Sequence, residues 1–388
     1  MSIHIPLSSP DLTDHDRQCV LDVLTGQTLS LGPSLTAFEQ AITEATGSRF
    51  AVAVNSGTSG LHLCVKAAEL GEGDEVITTP FSFVASANCL LYERAVPRFI
   101  DIDQDTYNLD VSRIEQHINP RTKGILPVHV FGRPCDMESI GAIASRNGLH
   151  VIEDACEAIG ARLRGRCVGT FGHTGVFAFY PNKQITTGEG GVIITDDEKT
   201  ARLCRSWRNQ GRGENGSWLQ HDRLGYNYRL SDINCALGIA QLSRLSEILA
   251  RRQAAACKYT ELLSDLVPQV IPPVPAAENS EISWFVYVVR LRDDFSREDR
   301  DHILDLLHRQ GVGCSDYFAP IHLQPFYRDT FGYREGDFPV AEHVSQRTIA
   351  LPFFSNLTDQ QIELVCRVLA RAVAAIRHRS VLLSSSLS

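Results

Sequence analysis

Three short segments hold the residue types best suited to chemistry. The first, Asn55-Ser-Gly-Thr-Ser-Gly60, follows an apolar run and opens a helical pattern. A helix start offers unpaired N–H groups and about half a positive charge, which suits a phosphate. Gly57 lets the backbone approach closely, and the hydroxyls of Ser56 and Thr58 add hydrogen bonds. The same residues serve equally as ordinary helix caps. The second segment, His150-Val-Ile-Glu-Asp154-Ala-Cys-Glu157, places Asp154 where an apolar strand ends. Ligands of open α/β sheets bind at such strand ends. A carboxylate there pairs with a protonated ring nitrogen or a metal, or caps the next helix. In the third, an apolar run from Gly175 stops at Tyr180-Pro181, Lys183 follows, and a turn containing Gly188, Gly190 and Gly191 leads into another strand. Desolvation lowers the pKa of a lysine in a semi-apolar turn and fits it to condense with an aldehyde. Taken alone, it reads as a solvated loop lysine.

Together the three segments point to one group. A phosphate cradle, a strand-end carboxylate and a lysine 29 residues further on (183 − 154 = 29) are the set that pyridoxal phosphate requires. Its phosphate must be held and its aldehyde tethered. Its ring nitrogen must stay protonated to act as an electron sink, and an adjacent carboxylate favours that charge.

These segments need a frame. Ala51–Val54, Glu75–Thr78, Pro97–Asp101, Gly124–Val130, His150–Glu153, Gly175–Phe179 and Val192–Thr195 read as strands, short and rich in Val, Ile and Phe. Ser59–Leu70, Ser82–Arg94, Val111–Ile118 and Met137–Asn147 read as helices between them. The alternation predicts an α/β fold with a mostly parallel sheet covered on both faces. Ser231 to about Leu263 predicts one long helix, and the proline-rich stretch from Val267 to Pro275 ends it. A smaller α+β unit follows, with a strand at Ser283–Arg292, helices at Arg297–Gln310 and Asp359–Ala375, and a frayed tail from Ser380. The expected division is a large unit over 11–250 and a smaller one over 251–388, with residues 1–30 packing on either.

Composition sets outer bounds. The 388 residues carry 37 Lys+Arg against 46 Asp+Glu, a net charge of −9, which excludes a nucleic-acid binder working by bulk positive charge. No run of apolar residues is long enough to span a membrane, and the N-terminus lacks the pattern of a secretory signal. The 11 cysteines include no CxxC pair, so neither a metal site nor a disulfide framework is expected, and a reducing, cytoplasmic setting fits. A dinucleotide-binding reading fails because no GxGxxG follows the first strand.

The lysine segment with its Gly188-Glu-Gly-Gly191 turn, the Glu153-Asp-Ala segment and Gly225-Tyr-Asn-Tyr-Arg-Leu230 resemble the DegT/StrS-type sugar aminotransferases, and the likeness runs from Leu29 to Pro352. The resemblance implies the fold-type-I architecture of pyridoxal-phosphate transferases. It implies that Lys183 is the Schiff-base lysine and proton shuttle, that Asp154 partners the pyridinium, and that Gly57 and Thr58 cradle the phosphate. It sets Phe83 against the pyridine ring and Glu157 near the cofactor's 3-hydroxyl. Asn227 and Arg229 come from the neighbouring subunit of a homodimer, Asn227 to the cofactor phosphate and Arg229 to the donor's α-carboxylate. Tyr317 and His322 fall near the sugar-nucleotide site, where ordinary packing explains them as well. Ala178 departs from the family pattern, which often has Ser there to touch the phosphate. The implied activity moves an amino group from glutamate to a keto sugar nucleotide. A dehydratase or cofactor-dependent regulator on the same scaffold, or a keto-cyclitol acceptor, are the alternatives, and Lys183 argues against the dehydratase.

Overall fold

The computed structural model describes residues 4–213 and 220–385, with side chains to residue 378. Seven strands form the main sheet: β1 (Phe50–Val54), β2 (Glu75–Thr78), β3 (Val96–Phe99), β4 (Thr122–Ile125), β5 (His150–Asp154), β6 (Thr174–Ala178) and β7 (Gly191–Thr195). Their order across the sheet is β1-β7-β6-β5-β4-β2-β3. All neighbours are parallel except β7, which runs antiparallel to both β1 and β6. The carboxyl ends of β1, β5 and β6 therefore lie on one edge, and β7 starts there.

Both faces of this sheet are buried, which is why its strands show little alternation of apolar and polar residues. Val52, Val54, Val76, Ile152, Val176 and Ile193 pack on one face with Leu61, Val65 and Cys204. Their strand neighbours Ala51, Ala53, Phe177, Val192 and Ile194 pack on the other face with Phe38 and Ile248. Ile77, Ile125 and Val151 meet Ile140 and Ile143 there. The helix Gly57–Ala67 starts on Ser56, whose hydroxyl accepts from the Ser59 amide at 3.1 Å. It is buried almost all round, as a helix laid on the sheet must be.

A second sheet, ordered Val270–Ile271, Tyr287–Leu291, Thr348–Leu351, is antiparallel. Tyr287, Val289 and Leu291 share its core with Tyr259, Leu307, Val365 and Ile5. The helix Leu245–Leu266 gives Ile248 to the main-sheet core and Tyr259 to the second one. We propose this passage between cores, near residue 250, as the boundary between units. The N-terminal residues join both, through Ile5 and Phe38.

Four expectations need correction. Residues 111–118 form two short 3-10 turns, Val111–Arg113 and Glu115–His117, with the buried Ile114 between them. The strand expected to reach Val130 stops at Ile125, because Pro127 has no N–H for the ladder. The long helix is two, Asp232–Ser243 and Leu245–Leu266, broken at Arg244, whose guanidinium pairs with Asp11 at 2.9 Å and Asp16 at 3.2 Å. The closing helix runs from Asp359 to Ser385, through the start of the expected frayed tail.

Candidate active site

The carboxyl edge of the sheet opens into a cavity of about 620 Å³, and the three chemical segments meet there: Gly57 and Thr58, Asp154 and Glu157, and Lys183 all line it. Asp154 ends β5 at the carboxyl edge of the sheet and is 4 % exposed. Its Oδ2 accepts from the Ser86 hydroxyl at 2.6 Å and its Oδ1 from the Cys156 amide at 3.1 Å. Ser82 lies 2.8 Å behind Ser86. The carboxylate is thus held by neutral donors, and among the described residues no ion pair engages it, which leaves it open to a ligand.

Lys183 sits in the turn after β6, its amide bonded to the Tyr180 carbonyl at 2.9 Å. Its Nζ is 3.5 Å from Glu157 Oε1 and 3.8 Å from the centre of the Phe285 ring. The other Glu157 oxygen accepts from the Phe131 amide at 2.9 Å. Burial pushes the Glu157 carboxyl above its usual range, against the opposing pull of Lys183 and of that amide.

The backbone packs closely around the start of the helix at Gly57. A Cβ on Gly57 would stand 2.8 Å from both Ala178 Cβ and Cys156 Sγ, and one on Gly191 would stand 2.6 Å from the Ser56 carbonyl and 2.7 Å from Gly57 N. Only glycine at both places lets the helix start pack this closely against its neighbours. Asn182 also lines the cavity, and its Oδ1 is buried without a hydrogen-bond partner. A helix start, an amine, a carboxylate and a wall bearing Phe83 suit pyridoxal phosphate, so the residues fit the group. Ala178 presents a methyl group where a hydroxyl would help hold a phosphate.

Phe83 is 63 % exposed on the cavity wall, and Tyr317 lies at the same cavity with its ring 5.1 Å from Phe318. Burial and then the Glu157 charge raise the pKa of Tyr317. One expected residue lies elsewhere. His322 is fully buried outside the lining, with Nε2 2.9 Å from Glu342 and its ring against Phe338 at 4.7 Å, so in this chain it is a packing residue. Asn227 and Arg229 do not reach the cavity of their own chain: Asn227 is exposed, and Arg229 donates to Asn209 Oδ1 at 3.1 Å.

Sequence reasoning missed Ser86, Asn182 and Phe285. Ser86 follows Phe83 by three residues, a spacing that puts both on one side of a helix start. Asn182 precedes Lys183 directly. Phe285 had no local signal, because it arrives from 102 residues away (285 − 183 = 102).

Residues 10–370 match the DegT/DnrJ/EryC1/StrS aminotransferase family. The GDP-perosamine synthase of Caulobacter vibrioides is 38% identical over 366 residues, spanning 94% of this chain and 97% of that protein. The spore coat polysaccharide biosynthesis protein SpsC of Bacillus subtilis is 36% identical, spanning 92% and 94%. Among solved structures, Helicobacter pylori PseC, an aminotransferase involved in the biosynthesis of pseudoaminic acid, superposes with a TM-score of 0.91 at 29% identity, over 96% of this chain and 100% of that one.

Proposed function

The chain belongs to the DegT/DnrJ/EryC1/StrS aminotransferase family and is a pyridoxal-phosphate-dependent sugar aminotransferase; from that premise we propose that it moves an amino group from L-glutamate to a keto sugar carried on a nucleotide. The product is an amino-deoxy sugar nucleotide, and the site is completed by a second copy of the chain. The observation that carries this reading is the convergence of Lys183, Asp154 and the glycine-lined helix start on one cavity.

When bound, the cofactor supplies an electron sink for the carbon that loses or gains the amine. Lys183 Nζ, between Glu157 and the Phe285 ring, would carry the proton from the donor's α-carbon to the cofactor carbon that takes the amine, and from that carbon to the acceptor's in the second half-reaction. Asp154 keeps the cofactor's ring nitrogen protonated, Ser86 holds Asp154 in place, and Phe83 covers the ring. The helix start at Gly57 and Thr58 receives the phosphate. Tyr317 borders the sugar. An adjoining cavity of about 600 Å³, sharing Ser82, Phe83 and Phe318 and bordered by the half-exposed Phe326, gives room for the rest of the acceptor.

Charge supports the second copy. Among the described lining residues Lys183 is the sole cation, against Asp154, Glu157, Glu189 and Asp316. A phosphate and a donor carboxylate need further positive charge, and Arg229 matches a carboxylate with its two-pronged guanidinium. No helix of the described residues is long and apolar enough to cross a membrane.

The test is a panel of nucleotide-linked keto sugars given to the cofactor-loaded enzyme with isotopically labelled glutamate and read by mass. Label in an amino sugar nucleotide is expected. Label only in a keto-cyclitol overturns the acceptor, and no transfer from glutamate alongside transfer from another amino acid overturns the donor.

A further inference from the structure

Beside the cavity, several titratable side chains gather on one carboxylate. Glu93 caps the carboxyl end of the helix Ala85–Tyr92, the same helix that carries Ser86. Its oxygens accept from Lys66 Nζ at 3.0 and 2.9 Å, from His62 Nε2 at 2.8 Å and from the Tyr226 hydroxyl at 3.2 Å. His62 and Lys66 belong to the helix that starts at Gly57. The other ring nitrogen of His62 stands 3.1 Å from the Tyr228 hydroxyl. A neutral ring satisfies every partner: Nε2–H donates to Glu93 and Nδ1 accepts from Tyr228. Burial lowers the His62 pKa, in keeping with that form. It also pushes the Glu93 carboxyl up, but the Lys66 and His62 bonds outweigh this and hold it below its usual range.

The cluster grips the segment 225–230. Tyr226 and Tyr228 stack with ring centres 4.9 Å apart and planes within 10°, and the His62 ring meets them at 4.9 and 5.9 Å. Their amides donate to the carbonyls of Trp207 at 2.6 Å and Arg208 at 2.9 Å, and the Tyr228 carbonyl accepts from Asn55 at 2.9 Å. Since extended residues alternate in direction, tyrosines turned inward at 226 and 228 turn Asn227 and Arg229 to the opposite side. Glu93 is only 18% exposed at its side chain. A single exposed ion pair adds little stability, whereas several donors sharing one half-buried carboxylate fix the geometry of every group bonded to it.

We propose that Glu93, acting through His62, Lys66 and Tyr226, is a positioning residue that sets the segment 225–230, and so places Arg229 for the amino donor bound in the cavity of a second copy. This rests on the reading above that Arg229 serves the donor carboxylate across the subunit boundary. Holding a binding group within a fraction of an ångström governs its contribution to the reaction.

The two half-reactions of a transaminase give separate values of kcat/KM for donor and acceptor, so the holoenzyme reports the effect directly. Glu93→Gln is expected to lower kcat/KM for glutamate about tenfold and to leave that for the keto sugar unchanged. Tyr228→Phe, which loses only a hydroxyl, lowers the same donor value by less, and carries the test alone if Glu93→Gln does not fold. Arg229→Lys is the reference. If it lowers the donor value while the Glu93 and Tyr228 variants leave it unchanged, or lower donor and acceptor alike, the positioning role is overturned and the donor reading stands. If Arg229→Lys leaves the donor value unchanged, the donor reading falls and the positioning proposal falls with it.

Discussion

The main sheet has a cavity at each end of its strands, and the larger one is not the candidate active site. At the amino edge a cleft of about 800 Å³ is bordered by Asp74, Lys123, His150 and His173. It holds titratable groups in plenty: the two histidine rings stack at 4.0 Å, and burial, then the charge of His173, pushes His150 down to about 4. Those groups mostly answer to their own surroundings. His173 Nδ1 accepts from the Val151 amide at 3.0 Å, Lys123 donates to the Pro120 carbonyl at 3.0 Å, and Asp74 accepts from the Gly71 amide at 2.9 Å. At the carboxyl edge, the helix start at Gly57, the Asp154 carboxylate and the Lys183 amine face shared space. Strand direction, not volume, makes the difference, because the carboxyl ends of parallel strands lead into helix N-termini and their unpaired N–H groups.

The contrast breaks first, if it breaks, on paired substitutions at the two edges. Lys183→Ala is expected to lower amino transfer by roughly 10³-fold or more, since it removes both tether and proton carrier. The visible absorption band of the cofactor-loaded enzyme, and its response to glutamate, should go with it. His150→Ala at the far edge should leave turnover as it was, and equal losses from the two variants would end the distinction. Asp154→Asn comes next, with roughly a 10²-fold loss of kcat at saturating cofactor, because a neutral amide does not hold the ring nitrogen's proton.

The carboxyl-edge site was largely legible because its parts sit in short contiguous segments. Asp154 ends an apolar run, Lys183 follows a Tyr-Pro stop, and Asn55–Gly60 joins strand to helix. The helix Met137–Asn147 was read with its bounds correct, since Asp136 caps one end and Gly148, in the left-handed region at φ 62°, closes the other. What stayed hidden was set by tertiary contact. Nothing near Arg244 announces a helix break, and the Asp11 and Asp16 carboxylates that bind its guanidinium there come from more than 220 residues away. Only the resemblance sets His322 near the sugar-nucleotide site, with packing as the other reading, and Glu342 and Phe338 enclose it. Asn227 and Arg229 are expected from the neighbouring subunit, and their own chain turns them from its cavity.

Glycines sharpen the same comparison at smaller scale. Gly57→Ala forces a methyl group to within 2.8 Å of Ala178 and Cys156. Chemical denaturation should show a loss of about 1–3 kcal/mol, as for other overpacked sites, together with weaker retention of the cofactor. Gly141 borders the amino-edge cleft from within a helix, and nothing lies within 4 Å of a Cβ placed there. Gly141→Ala should therefore stabilise the chain by about 0.5–1 kcal/mol through helix propensity alone. Destabilisation by both would show that the crowding at Gly57 is nothing particular to the active edge.

The smallest effect concerns Glu157, a site carboxylate that burial drives upward. A carboxyl whose folded pKa lies above its unfolded value favours the folded state fully only below the unfolded value, near 4.5. Its contribution is lost as pH rises through the folded value, because the native chain must then hold a buried charge that the unfolded chain gives to water. Glutamine carries no such penalty. Glu157→Gln in the cofactor-free protein should therefore melt above the parent at pH 8, and the gap should close as pH falls toward 4.5. A gap that widened on acidification would mean that the Lys183 amine, 3.5 Å away, outweighs burial and holds Glu157 as a stable carboxylate. The carboxyl edge would then contain a satisfied ion pair, and Lys183 would have to be freed from it before it could act.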